Sequence, residues 1–110
     1  MVQATSTKVL NVKTLSIISN SSAEFCIYTY KATTESTEDI KRSGFFNPGY
    51  SVFKVGDTLR VMHYVNNVLT KYYEFVIMSV DTDNKTVSAA IVHEVNLTSK
   101  IVGAGDTSKT

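Results

Sequence analysis

The feature that most limits the fold of this chain is the period-two alternation of apolar and polar residues through its second half. It runs through Thr58–Val65 and Lys85–Val95, and a period of two is that of a β-strand with one buried face. Between them, Leu69–Val80 is apolar on both faces at Phe75–Met78, which predicts the central strand of the sheet. The breaks fall at Asn66-Asn67, where asparagine tolerates the positive φ of a tight hairpin, and at the turn-forming stretch Asp81–Asn84. Three consecutive strands joined by short turns predict a meander.

Two earlier segments are also typical of strands. Lys8–Ile18 changes parity midway, which predicts a bulge or two short strands, whereas Ala23–Tyr30 alternates regularly. The chain is 43% hydrophobic and 19% charged, an ordinary globular composition, and its many threonines, valines, isoleucines and tyrosines favour strands. We therefore expect a mainly β fold, a small antiparallel β-sandwich or barrel with one short helix.

The predicted helix lies in the most unusual stretch of the sequence, Thr33–Val61. Thr34 or Ser36 can cap a helix that runs to about Ser43, and the acids early in it and the bases late in it complement the helix dipole. The rest of the stretch contains turn signals, including the only proline of the chain and glycines that can take positive φ. The residues that we assign to shaping these corners are Gly44, Pro48, Gly56 and Asp57.

Length and charge limit the domain organisation and the partners. A chain of 110 residues can bury one core, so we predict a single domain over residues 8–102, with an N-terminal arm at 1–7 and a C-terminal tail at 103–110. Neither a signal-peptide pattern nor an apolar run of the roughly 20 residues that span a bilayer occurs, so we expect synthesis in a cytoplasm and no membrane partner. The formal charge of +1 disfavours nucleic acid as a partner.

The sequence contains no active-site motif, and we predict a protein that is not an enzyme and holds no cofactor or metal. Nucleophile elbows, zinc-protease helices, dinucleotide fingerprints and paired CxxC motifs are all absent. Cys26, the only cysteine, is typical of a small buried residue. His63 and His93 are the best catalytic or ligand candidates and could share one face of the meander, yet two histidines do not complete a metal site. A structural or interface role is favoured for both.

Aromatic residues provide the candidates for a protein interface. Phe45 and Phe46 follow a polar helix and either plug the end of the β fold or face a partner, with core packing the favoured alternative. Several tyrosines surround the predicted hairpin, and tyrosine is enriched at interfaces because its ring buries area while its hydroxyl stays bonded. The candidate interface residues are Phe45, Phe46, Tyr50, Tyr64, Tyr72 and Tyr73.

One spaced pattern in the chain resembles a known group of proteins. Gly44-Phe45-Phe46-Asn47, followed after a spacer by Lys54-Val55-Gly56-Asp57, is similar to the Gly-aromatic-Phe-Asn turn and Val-Gly-Asp strand start of small tailed-bacteriophage virion structural proteins. The resemblance extends over roughly Tyr30–Ile91. The usual acidic position of the helical stretch falls on Glu35, whereas Pro48 in the spacer departs from the pattern and can alter the local turn.

The resemblance implies a virion component made in the cytoplasm of a host bacterium. Its most direct form is a capsid decoration (cement) protein that stabilises the head through contacts between subunits. The implied partners are the major capsid protein or other virion subunits, together with further copies of the chain, a homotrimer being favoured. A fibre or tail-associated subunit is the alternative within the same group.

Two further hypotheses belong to other classes. The Val-Gly-Asp corner before a three-stranded meander also resembles small SH3-like or OB-like barrels, which would make the chain a soluble adaptor for a peptide or nucleic acid. A nucleic-acid reader should carry a basic stripe among its aromatics, whereas Lys54, Arg60 and Lys71 are scattered. A small hydrolase that uses His63 or His93 is the weakest alternative.

Overall fold

The computed structural model describes residues 8–20 and 25–103, apart from the side chains of residues 18–20. The predicted N-terminal arm and nearly all of the predicted C-terminal tail, residues 104–110, lie outside the described residues. Short 3₁₀ turns occupy Val12–Thr14, Asn47–Gly49 and Leu97–Ser99. The strands and the helix are β1 (Ser16–Asn20), β2 (Cys26–Ala32), α1 (Thr37–Lys41), β3 (Thr58–Val65), β4 (Val68–Asp81) and β5 (Thr86–Asn96).

The five strands form one mixed sheet in the order β1-β2-β3-β4-β5. β2 and β3 are parallel, and the other neighbouring pairs are antiparallel. The meander of β3, β4 and β5 is as predicted, and Asn66 and Asn67 take φ of 52° and 69° in its first hairpin. The mainly β fold with one short α-helix is confirmed. It differs from the expected antiparallel sandwich or barrel in having a single sheet with one parallel pair.

The connection between β2 and β3 explains why this pair is parallel. Parallel neighbours cannot be joined by a tight turn, because the chain must return along the sheet before the next strand begins. Residues 33–57, hereafter the crossover segment, make that return and contain α1 and the second 3₁₀ turn. One face of the sheet is thereby covered by the same chain that forms it.

The helix of the crossover segment is shorter than predicted. Ser36 caps it, because its hydroxyl accepts from Asp39 N at 3.0 Å while the Asp39 carboxylate accepts from Ser36 N at 3.0 Å. This reciprocal pair is a capping box. α1 ends at Lys41 because Arg42 is already extended, with ψ of 144°, and Gly44 then turns the chain at φ +93°.

The other predicted corner residues also lie at turns. Pro48 is in the second 3₁₀ turn, and Gly56 takes φ +96° just before β3. The Asp57 side chain is fully buried, and its two oxygens accept from Cys26 N at 3.0 Å and from Lys54 N at 2.8 Å. The carboxylate therefore ties the end of the crossover segment to the start of β2 and satisfies two backbone donors.

The core lies between the crossover segment and the sheet face that it covers, hereafter the inner face. Phe46 packs against Phe75 of β4 with ring centroids 4.8 Å apart, and Phe53 packs against Tyr28 of β2 at 5.2 Å. Edge-to-face aromatic packing of this kind adds to the stabilisation that burial provides. The apolar side chains buried between these two layers are Tyr28, Tyr30, Ala32, Ile40, Phe45, Phe46, Phe53, Leu59, Val61, Tyr73, Phe75, Ile77 and Val87.

Tyr30 links this core to polar groups at its margin. Its hydroxyl donates to the Glu35 carboxylate and accepts from Asn11 N at 3.0 Å. Burial, followed by the hydrogen bond to Glu35, raises the pKa of Tyr30 to about 12. The protonated phenol thus joins the residues before β1 to the start of the crossover segment.

Candidate protein-binding surfaces

Three of the predicted interface aromatics lie in the core. Phe45 and Tyr73 are fully buried and Phe46 is 6% exposed, so these residues offer almost no surface to a partner. The crossover segment brings Phe45 and Phe46 onto the inner face, where Tyr73 also lies. These three residues are therefore core residues rather than interface residues, and core packing is the alternative that holds for Phe45 and Phe46.

The other three predicted tyrosines are partly exposed but do not form one cluster. Tyr64 and Tyr72 lie on the sheet face opposite the core, hereafter the outer face. Lys31 Nζ lies 4.7 Å from the centre of the Tyr64 ring. Tyr50 belongs to the crossover segment, and Lys85 Nζ lies 5.9 Å from its ring. Only Tyr64 and Tyr72 are thus candidates for the same surface.

The two histidines lie on opposite faces of the sheet. His63 follows the inner-face pattern of β3 and is 4% exposed, whereas the exposed His93 pairs with Glu74 on the outer face. A register shift between Glu74 and Phe75 leaves Val92 of β5 without an opposite residue, which changes the parity of the residues after it. The expectation that the histidines share a face of the meander is therefore wrong.

His63 holds two elements together. Its Nε2 lies 2.7 Å from the Glu35 carbonyl oxygen and, because a carbonyl only accepts, Nε2 carries the proton. Its Nδ1 is buried and has no hydrogen-bond partner among the described residues. The ring lies 6.0 Å from that of Tyr73. These contacts connect β3 to the crossover segment, which is a structural role.

Three rows of side chains on the outer face extend across β2, β3, β4 and β5, because residues opposite one another in paired strands share a face. Every position in these rows is partly or fully exposed, whereas the inner-face positions of β2 and of Leu59, Val61 and His63 on β3 are buried. The first row is Ile27-Thr58-Val76-Ala90, the middle row is Thr29-Arg60-Glu74-His93, and the third row is Lys31-Met62-Tyr72-Val95. A polar middle row thus separates two rows that are mainly apolar.

The middle row carries opposite charges that are not paired with each other. Arg60 and Glu74 are direct neighbours on β3 and β4, yet no ion pair joins them in the described part of the chain. Arg60 Nε is buried without a hydrogen-bond partner there, and Glu74 Oε1 instead accepts from the Tyr72 hydroxyl at 3.0 Å. Burial and this hydrogen bond raise the pKa of Tyr72 above its ordinary value.

A second exposed region is the free edge of β5. This strand has 11 residues. One of its two edges pairs with β4, and no strand within residues 8–20 and 25–103 pairs with the other edge. Ile91 and Val92, near its middle, are 45% and 48% exposed. An edge strand presents unpaired N–H and C=O groups that can bind another extended chain.

A groove lies beside this edge, between β5 and the residues at the end of α1. Its volume is about 310 Å³, and Ile40, Phe46, Phe75 and Ile91 are among the apolar residues that line it. Because the groove opens next to the unpaired backbone of β5, a strand added there could place a side chain in it.

The charges at the rim of the groove are already paired. Lys41 Nζ lies 2.6 Å from Glu94 Oε1, and Arg42 Nη1 lies 2.7 Å from Asp39 Oδ1. The hydrogen bond to Glu94 raises the pKa of Lys41 above its ordinary value. The groove therefore favours a neutral apolar side chain, since a charged one would have to displace an existing pair.

Neither surface could be recognised from the local sequence pattern. Arg60 and Glu74 lie fourteen positions apart in the numbering, and only the strand register brings them together. Ile91 and Val92 are consecutive apolar residues, a pattern that indicates a bulge or a two-sided strand as readily as an exposed edge. The signal that could have been used is the scarcity of charged residues in β5, which is unusual for an edge strand.

Neither a metal-binding cluster nor a membrane-spanning helix occurs among the described residues. The described residues contain no group of three or more His, Cys, Asp and Glu side chains that could hold a metal ion. No helix among them is long and apolar enough to cross a membrane.

Comparison with known protein families, with curated proteins and with solved structures finds no match for this chain.

Proposed function

We propose that the protein is a non-enzymatic structural subunit that stabilises a larger assembly by binding neighbouring protein chains. The free edge of β5 and its groove are the single observation that carries this proposal. In its specific form, which rests on the sequence resemblance, the assembly is the head of a tailed bacteriophage and the protein is a capsid decoration subunit. The virion is then its location, and the major capsid protein is its main partner.

The chemistry of β5 supports binding of an extended segment. Natural edge strands commonly carry lysine, proline or an inward-pointing charge, which prevent another chain from pairing with them. β5 contains neither lysine nor proline, and its one inward-pointing charge, Glu94, lies toward its end and is paired with Lys41. Its middle therefore offers backbone donors and acceptors together with the exposed side chains of Ile91 and Val92.

The groove specifies the kind of segment that fits. An added strand alternates its side chains between the two faces, so those on the inner-face side approach the groove. The lining is apolar and the rim charges are paired, so the segment should present a neutral apolar residue there. Association of this kind stabilises the assembled state by mass action and needs no chemical step.

A soluble adaptor that binds one free peptide is the second candidate. The same edge favours it, because strand addition is also a common mode of peptide recognition. The basic residues do not favour nucleic acid: Lys54 bonds to the buried Asp57, whereas Lys71 lies 3.9 Å from Glu94 on the other side of the sheet from Arg60. A fibre or tail-associated subunit remains the alternative within the phage proposal.

Binding to phage heads tests the proposal directly. Heads of the phage that encodes the chain, prepared without it, are mixed with the purified protein and sedimented. We expect saturation at a fixed number of copies per head and a higher disruption temperature for the decorated heads. Val92→Lys, which puts a charge on the free edge, should weaken binding by at least about tenfold.

Met78→Lys is the matched control. Met78 is 57% exposed on β4, comparable to Val92, but it is not on the free edge. This variant should bind heads as the unmodified protein does. Failure of the unmodified protein to bind heads would exclude the decoration role, and equal binding by Val92→Lys would exclude the β5 edge as its contact.

A further inference from the structure

We propose that the outer face is the contact surface of a homodimer, in which two copies pack face to face about a two-fold axis parallel to the strands. The occupant of the outer face is therefore a second copy of this chain. The contact uses outer-face side chains rather than the unpaired backbone of the β5 edge, so it goes beyond the proposed function and does not depend on it.

The charge order of the middle row selects this arrangement. A two-fold axis that runs between β3 and β4, parallel to them, reverses the order of each row in the facing copy. Arg60 of one copy then lies opposite Glu74 of the other, and the pair occurs twice in the dimer. A two-fold axis across the strands would instead place Arg60 opposite Arg60, and facing like charges are strongly disfavoured at an interface.

The flanking rows are complementary about the same axis. Met62 lies opposite Tyr72 of the second copy, a sulfur–aromatic contact that also occurs twice. Ile27 lies opposite Ala90, so that a large side chain faces a small one. Two packed sheets with nearly aligned strands lie about 10 Å apart, which is the spacing of such interdigitated side chains.

Charged groups that lack partners within a single copy provide an independent reason for the contact. Arg60 makes no ion pair in the described part of the chain. Glu74 Oε1 accepts from Tyr72, whereas its Oε2 has no partner among the described residues. Each copy thus presents one guanidinium and one carboxylate oxygen that the other copy can satisfy.

The size of the contact indicates a weak dimer. Four strands about 4.8 Å apart and three rows about 6.8 Å apart give a footprint of roughly 400 Å² per copy. The total of roughly 800 Å² is below that of a standard specific interface, so we expect weak, reversible association at micromolar or higher concentrations. High salt should weaken it, because its central contacts are ionic.

Charge reversal tests the arrangement on the full chain by sedimentation over a concentration series. Arg60→Glu and Glu74→Arg should each raise the dimer dissociation constant by at least about tenfold. An equimolar mixture of the two variants should form a heterodimer, because the reversed charge of each variant faces its opposite in the other. The double variant Arg60→Glu/Glu74→Arg should again form a homodimer.

A control variant and the opposing results make the test decisive. Lys41→Glu reverses a charge at the groove, on the other side of the sheet, and should leave the dimer unchanged. Circular dichroism verifies that each variant is folded. A monomer at every concentration, a trimer, or folded single variants that fail to associate on mixing would overturn the proposal. Because Arg60→Glu should lose the dimer without changing the backbone of the β5 edge or the groove beside it, it should still bind heads, and either proposal can fail alone.

Discussion

The inner and outer faces of the same sheet contain side chains of different chemistry. The inner face presents aromatic and aliphatic residues that its own crossover segment covers, as Leu59 and Val61 on β3 illustrate by their complete burial. The outer face presents a charged row between two mainly apolar rows, and the described residues leave it partly exposed. A covered face needs only shape and apolarity, whereas a face that meets both water and a partner also needs charge order.

Tyrosine shows how position decides between these two uses. Tyr73 and Tyr72 are neighbours on β4, yet the first is fully buried and the second lies on the partly exposed outer face. Because successive side chains in a strand point to opposite faces, one residue of register separates a core role from a surface role. The following substitutions compare the two faces, from the largest expected effect to the smallest.

Removal of a buried aromatic ring from the core should cause the largest loss of stability. Phe45→Ala should lower the free energy of unfolding by about 3–5 kcal/mol, since a fully buried phenylalanine is replaced by a cavity. Tyr64→Ala on the outer face should cost about 1 kcal/mol or less. Urea unfolding of dilute protein measures both values. Similar losses for the two variants would contradict the distinction between the faces.

Loss of the buried carboxylate that anchors the crossover segment should rank second. Asp57→Ala leaves the amides of Cys26 and Lys54 without their acceptor, and we expect a loss of about 2–4 kcal/mol. Asp81 accepts from two turn amides in the same manner, but at an exposed position where water can replace it. Asp81→Ala should therefore cost much less in the same urea unfolding experiment. If it costs as much, burial is not the reason for the importance of Asp57.

Adjacent residues of one strand provide the sharpest comparison. Val61→Ala on the inner face should cost about 2 kcal/mol, because two buried methylene equivalents and their packing are lost. Met62→Ala, one position later on the outer face, should cost about 1 kcal/mol or less despite removing more atoms. Thermal and urea unfolding at low protein concentration measure both without a contribution from association. The reverse order would show that the outer face is the buried one.

Acid should destabilise the crossover segment, and this should be the smallest of the expected changes in stability. The Ser36 backbone amide, and then Arg42, hold the pKa of the Asp39 carboxyl at about 2, below its unfolded value near 3.9. The ionised form therefore favours the folded state above about pH 4, and this contribution is lost as the pH falls toward about 2. Unfolding midpoints measured between these pH values should fall less steeply in Asp39→Asn than in the unmodified chain. Equal slopes would exclude a contribution from this cap.

Features that depend on neighbouring residues in the sequence were predictable. The strands of the meander, the hairpin at Asn66 and Asn67, and the positive φ of Gly44 and Gly56 each follow from a local pattern or a single residue type. The helix start at Ser36 also follows from local capping chemistry, although the helix itself is shorter than expected. The mainly β class was predictable for the same reason.

Features that depend on distant residues were not predictable. The parallel pairing of β2 and β3 requires a choice about where the chain returns after the crossover segment, which no local pattern encodes. The bulge at Val92 placed His93 on the outer face, because one inserted residue reverses the parity of those that follow. Of the outer-face residues, the sequence therefore predicted only Tyr64 and Tyr72 as interface candidates. It did not predict Arg60 and Glu74, because only the strand register makes them neighbours.

The sequence by itself determined a β-rich chain, its turns and its caps, because these depend on residue period and on the backbone preferences of a few glycines, asparagines and serines. Only the tertiary structure decided which face of the sheet the crossover segment covers. That choice buried Phe45, Phe46 and Tyr73 and left Arg60, Glu74 and the edge of β5 on the surface. The physical reason is that burial results from packing between distant segments, whereas alternation specifies only that a strand has two different faces.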